Sequence, residues 1–135
     1  MVPHSVSLLF SFVSKCMLVL LCMLAHEIGH ILVARFYHVP VKGIGLNRFG
    51  IYIRRARARG WPEIATCMAG AAMNLTLAVL FWKLNNWFAL CNLMVGIVNV
   101  LPITNSDGSH ALDAIQAMHR IPEAEVEEVQ RRRAA

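Results

Sequence analysis

The longest feature of the chain is an apolar run. Residues 6–34 form a stretch of 29 interrupted by one full charge before the centre, Lys15. A helix needs about 20 such residues to cross a bilayer. Residues 5–13 are either an interfacial segment or the outer end of a long tilted helix. Lys15 can snorkel to the interface in both cases. The first span is therefore expected at about 10–34, stopped by Arg35.

The pattern then changes. Val39-Pro40-Val41-Lys42-Gly43-Ile44-Gly45-Leu46 and Ile51-Tyr52-Ile53 are β-type runs, and Asn47-Arg48-Phe49-Gly50 between them is a turn signal. A β-hairpin is expected at about 39–55. Trp61-Pro62-Glu63 suits a first helical turn with an interfacial anchor, and residues 64–82 are long enough to span. Ala69-Gly70-Ala71-Ala72 would let helices pack closely in lipid. Lys83-Leu84-Asn85-Asn86 reads as a tight turn. A third span is expected at 87–104, carrying Asn92, Gly96, Asn99 and Pro102. Pro102 should break its end, because proline cannot donate to the helical ladder. Asp107 is placed to start a helix over 109–120. Pro122 is expected to start a last polar helix, acids first and Arg131–Arg133 last.

Composition sharpens this picture. The chain has 135 residues, 57% hydrophobic, with a mean hydropathy of +0.52. That is one domain by length, too apolar for an ordinary soluble globule. The fold class expected is an α-helical integral membrane protein. It has three transmembrane helices and a short membrane-associated β-hairpin between the first and second. Residues 1–121 form the core and 122–135 a polar tail. Nothing at the N-terminus reads as a removable signal peptide.

The net charge of +5 is clustered. Seven of the thirteen Lys and Arg lie within 35–59 and four more within 120–133. Aromatic residues do not interleave them as nucleic-acid binding would require, so no nucleic-acid partner is expected. They read as topology signals that put the hairpin and the C-terminus on the cytoplasmic side. Cys16, Cys22, Cys67 and Cys91 lie in apolar runs without a C-x-x-C pair and read as small core side chains.

The candidate chemistry sits in the first span. Within residues 16–34 the only polar side chains are His26, Glu27 and His30, in an H-E-x-x-H pattern. Four residues apart on a helix, His26 and His30 share a face and can offer imidazole nitrogens to one metal. Glu27 lies beside them, where a general base belongs. Zinc is the metal this spacing most often serves, and a catalytic zinc needs a third protein ligand. Ionisable groups in a span are functional candidates by default. The plainer reading is a buried His–Glu–His cluster that holds helices together. Asp107 is the one other acid near a span. It is either the third ligand or the N-cap of the helix that follows. His30 lies five residues before Arg35, about 7–8 Å deep at the helical rise. That depth matches Asp107 near the cytoplasmic end of the third span.

These motifs together resemble the site-2 protease family of intramembrane zinc metalloproteases. The resemblance rests on His26-Glu27-Ile28-Gly29-His30, on Ala69-Gly70-Ala71-Ala72-Met73-Asn74, and on residues 99–108, Asn-Val-Leu-Pro-Ile-Thr-Asn-Ser-Asp-Gly. It covers about residues 15–120. Ala71 stands where the family has proline and Ser106 where it has leucine. The resemblance implies one zinc per chain held by His26, His30 and Asp107, with Glu27 as catalytic base. It implies Asn99 and Pro102 as substrate-handling residues, and the hairpin as the receiver of a substrate strand. Asn99, or else Asn74, would stabilise the oxyanion. The expected activity is endopeptidase cleavage in or near transmembrane segments of substrate proteins, with the active site towards the cytoplasm. The chain is close to the family's three-helix core, so a partner or self-association is expected to gate access. The competing classes are a catalytically silent membrane scaffold that keeps the fold, and a metal-transport or metal-storage protein. The second lacks a polar path through the other leaflet.

Overall fold

The computed structural model describes residues 4–47 and 50–120. The expected tail helix after Pro122 and the tip of the hairpin lie outside the described residues. α1 (His4–Phe36) is one continuous helix of 33 residues, so residues 5–13 extend the first helix and form no separate element. The Lys15 ammonium lies 5.2 Å from the centroid of the Trp87 ring, at the start of the third helix. The helix stops where the backbone turns left-handed at His38, with φ of 56°. The Val39 N–H closes on the Ala34 carbonyl at 2.8 Å, and Pro40 bars continuation.

β1 (Val41–Asn47) and β2 (Gly50–Arg55) form the expected antiparallel hairpin. Its register runs from Asn47↔Gly50 to Val41↔Arg55, with an irregularity between Val41 and Gly43. α2 (Trp61–Phe81) follows, with Pro62 in its first turn. Asn85 caps α3 (Asn86–Val100), its Oδ1 accepting from the Phe88 N–H at 3.0 Å. α3 ends four residues before the expected boundary. Leu101 is extended (φ −67°, ψ 138°), the conformation that the ring of a following proline enforces. α4 (Asp107–His119) closes the described chain. α2 is the central element and packs against α1, α3 and α4.

Ser106, not Asp107, caps α4. Its Oγ accepts from the N–H groups of Ile103 and Ser109, both at 3.1 Å, and donates to the Leu101 carbonyl at 2.5 Å. One hydroxyl thereby ties the broken end of α3 to the start of α4. The Asp107 side chain is left free of capping duty.

The interior is small and polar, and the outside is large and apolar. The largest fully buried side chains are Asn74, Asn92, Thr66 and Cys22. Leu8, Phe10, Phe12, Leu32, Val79 and Leu84 are all more than half exposed. α1 and α2 approach closely because Gly29 faces the Ala69 carbonyl, where a β-carbon would come within 2.7 Å. By length and composition α1 and α2 could each cross a membrane. α3, at 15 residues, is shorter than that.

Replacing Ser106 with Ala should cost about 1 kcal/mol, the usual worth of an N-cap. Thermal unfolding in detergent should show a lower midpoint than wild type. An unchanged midpoint would mean the turn is held by something else.

Candidate metal centre

Three side chains from two distant stretches converge. His26 and His30 lie one turn apart on α1, and Asp107 opens α4. His26 Nε2 is 3.1 Å from His30 Nε2. Asp107 Oδ2 is 2.9 Å from the first and 3.2 Å from the second. Both histidines are buried and Asp107 is half-buried.

The partners on the far side of each ring decide what those atoms are. His30 Nδ1 faces the Thr66 backbone carbonyl at 2.7 Å. A carbonyl only accepts, so Nδ1 carries the proton. His26 Nδ1 faces Asn74 Oδ1 at 2.9 Å. The orientation of that amide is fixed in turn, because Asn74 Nδ2 donates to the Cys22 carbonyl (3.2 Å) and to Asn92 Oδ1 (3.0 Å). His26 Nδ1 must therefore be the donor. In neutral imidazoles each Nε2 is then a bare lone pair.

Three acceptors thus point at one another. Asp107 Oδ2 is buried and has no aligned hydrogen bond. A proton on one Nε2 could bridge one pair and would leave the third atom uncompensated. Buried polar groups without partners are costly. A cation resolves all three at once. A four-coordinate cation with bonds of about 2.0–2.1 Å spaces its ligand atoms about 3.3 Å apart. The three observed separations lie close to that. The donor set therefore fits a metal ion that prefers nitrogen and carboxylate ligands. As a ligand, Asp107 would serve as a carboxylate.

Gly70 completes the cradle. A β-carbon there would lie 2.6 Å from His26 Nε2 and closer still to His30 Nε2. Only glycine lets α2 run beside the ligand atoms.

The cluster forms part of the wall of an open cavity of about 1210 Å³. Glu27 and Asn99 line it too. Glu27 is half-buried and makes no hydrogen bond to another described residue, so its carboxylate is available. Asn99 Nδ2 donates to the Val95 carbonyl at 2.9 Å and retains one N–H. Pro102 does not line the cavity; it is exposed and ends α3. Asn74 sits away from its expected role. Its amide is fully committed to His26, Cys22 and Asn92, so it orients a ligand and offers no donor to the cavity.

Sequence reasoning missed three supports. The Thr66 carbonyl is backbone and leaves no mark in the sequence. Asn92 is buried in α3, donates to the Phe88 carbonyl at 2.9 Å, and steadies Asn74. A strongly polar amide in an apolar run was the signal available for it. Arg55 grips Glu63 with two bonds of 2.6 and 3.0 Å, joining β2 to α2 beside the cavity. Burial lowers the Arg55 guanidinium, but Glu63 outweighs it and holds it above its ordinary value.

No protein-family model matches the chain, and no curated protein matches it.

Gly70→Ala separates helix stability from metal binding. Alanine favours a helix by about 1 kcal/mol over glycine, yet its methyl occupies the space of the ligand atoms. Titration of a divalent metal against a chromophoric chelator should show at least a tenfold loss of affinity. Asn92→Leu should lose roughly 10–100-fold, as outer-shell changes do. Wild-type affinity in both variants would contradict the arrangement.

Proposed function

We propose that the protein is an intramembrane zinc endopeptidase of the site-2 protease kind. It would hydrolyse peptide bonds in or near transmembrane segments of other proteins. The observation that carries this reading is the convergence of two tautomer-locked imidazoles and one carboxylate beside an unengaged Glu27. The His₂–carboxylate set is one that catalytic zinc uses. The motif resemblance described above supports the same reading. A silent scaffold would have no use for a spare carboxylate in that cavity.

The inside-out core supports a membrane setting. In water, exposed Leu, Phe and Val on this scale would drive association. In lipid they face acyl chains, while small residues bring the helices together. The basic residues of 35–59 support a cytoplasmic position for the cavity mouth. α3 would enter from the other side and break at Pro102, where its freed backbone lines the cavity.

Zinc held by His26, His30 and Asp107 would supply Lewis acidity, polarising a carbonyl and bringing the pKa of a water towards ~7. The chain's own residues do the rest. A Glu27 carboxylate oxygen takes the proton from the attacking water and returns it to the leaving amine. The remaining N–H of Asn99 Nδ2 donates to the carbonyl oxygen as negative charge develops there. The Thr66 carbonyl and Asn74 keep both imidazoles in register throughout.

The substrate must be extended, because a helical carbonyl is occupied by its own turn and lipid offers no water to freed amides. A free strand edge can satisfy them. β2 is the strand whose Tyr52, Arg54 and Arg55 line the cavity, so its edge is the better placed of the two.

Co-expression with single-span candidate substrates tests the reading. Wild type should yield a cleaved band. Glu27→Gln should lose it while keeping about one zinc per chain by elemental analysis. Cleavage by Glu27→Gln at the wild-type rate would overturn the proposal.

The strand edge has its own test. Neighbouring N–H groups in a strand point to opposite edges, so proline at Tyr52 and at Ile53 removes one outward and one inward donor. The outward one should slow cleavage about tenfold or more with zinc content intact. If neither proline slows cleavage, the hairpin is only a connector.

A further inference from the structure

The cavity that holds the metal group carries more positive charge than its chemistry needs. Arg54, Arg55, Arg57 and Arg59 all line it. Arg55 is neutralised by Glu63. Arg54, Arg57 and Arg59 are exposed and have no ion pair among the described residues. Of the acids lining the same cavity, Glu63 is taken, while Glu27 and Asp107 belong to the metal centre. That leaves the exposed Asp113 on α4.

The segment that bears these arginines is held in place. The Ala56 N–H closes on the Pro40 carbonyl at 3.0 Å. The Ala58 N–H donates to Glu63 Oε2 at 2.8 Å, the oxygen that also takes Arg55 Nη1 at 2.6 Å. Residues 55–63 are thus a closed loop with a buried carboxylate at its centre. Arg57 and Arg59 project from it on either side of a tethered residue. Arg54 is on β2, the strand best placed to pair with a substrate. The three arginines therefore lie along the chain between β2 and the start of α2, all lining the cavity.

A topology signal requires only that basic residues lie in the loop. It does not require, in the wall of the cavity, three arginines that have no ion pair among the described residues, on a backbone fastened by a buried ion pair. Arginine presents a planar fork that matches carboxylates.

We propose that Arg54, Arg57 and Arg59 are a recognition surface for an acidic segment of the substrate. The substrates would then be membrane proteins with Asp or Glu on the cytoplasmic flank of the segment that is cut. This rests on the endopeptidase reading for its consequence, but its binding step can be measured without cleavage. Partly exposed Arg–carboxylate pairs are individually weak, so the three together should give about a tenfold preference, and salt should erase it.

The test uses full-length Glu27→Gln protein in nanodiscs of neutral phosphatidylcholine. Fluorescent peptides carry one apolar span with a cytoplasmic-side flank of Asp, Asn or Lys. The Asp-flanked peptide should bind about tenfold more tightly than the Asn-flanked one, and the preference should vanish near 1 M salt. Arg54→Glu/Arg57→Glu/Arg59→Glu should favour the Lys flank. Arg57→Gln/Arg59→Gln is the milder companion, expected to lose most of the preference. Both should keep wild-type zinc content. Equal binding of all three flanks by the unaltered arginines overturns the proposal. So does a second pattern, in which the arginine variants lose affinity only for phosphatidylserine-containing vesicles; the arginines would then serve the lipid surface. Parallel cleavage by wild type keeps the two readings apart. Flank-selective binding with no cleavage of any flank sinks the protease, and cleavage of all flanks alike sinks only the acidic recognition.

Discussion

Two hydrogen bonds on the far side of the histidine rings govern the site. The Thr66 carbonyl and Asn74 Oδ1 each take the Nδ1 proton of an imidazole. Both Nε2 lone pairs are thereby aimed at the buried oxygen of Asp107. Without those bonds either ring could turn or swap its proton, and the cluster would settle as an ordinary His–Asp contact. With them, three acceptors meet at one point, an arrangement that a cation would satisfy.

The fold serves that constraint. α2 supplies the Thr66 carbonyl, Asn74 and the space at Gly70, so it must run hard against α1. Gly29 against the Ala69 carbonyl permits this. α3 supplies Asn92, which fixes the Asn74 amide. The break at Pro102 and the Ser106 cap then turn the chain so that Asp107 comes back to the histidines. His26, His30 and Asn74 find their polar partners on neighbouring helices, and most of the large apolar side chains are left outside. A core built this way suits lipid, where burial of apolar surface offers no driving force between helices.

Much of this was legible in the residues. The H-E-x-x-H spacing put two imidazoles on one face, and Pro102 marked the end of α3. The β-type runs around Ile44 and Ile53, with the turn signal between them, pointed to the hairpin. Asp107 was readable as ligand or cap, and only the Ser106 geometry separates the two. Asn74, the second choice for the oxyanion after Asn99, turns out to face His26, Cys22 and Asn92, because a sequence shows that an amide is present but not which way it faces. The Thr66 carbonyl and the Arg55–Glu63 clamp depend on tertiary approach between segments 8 to 36 residues apart. Local patterning carries no trace of such pairings.

Zinc K-edge absorption on detergent-purified protein tests directly whether His26, His30 and Asp107 form one metal centre. About one zinc per chain is expected, with two imidazoles and a carboxylate oxygen at about 2.0–2.1 Å and no sulfur. A sulfur shell at about 2.3 Å, which would implicate Cys67, or an all-oxygen shell without imidazole scattering, would contradict it.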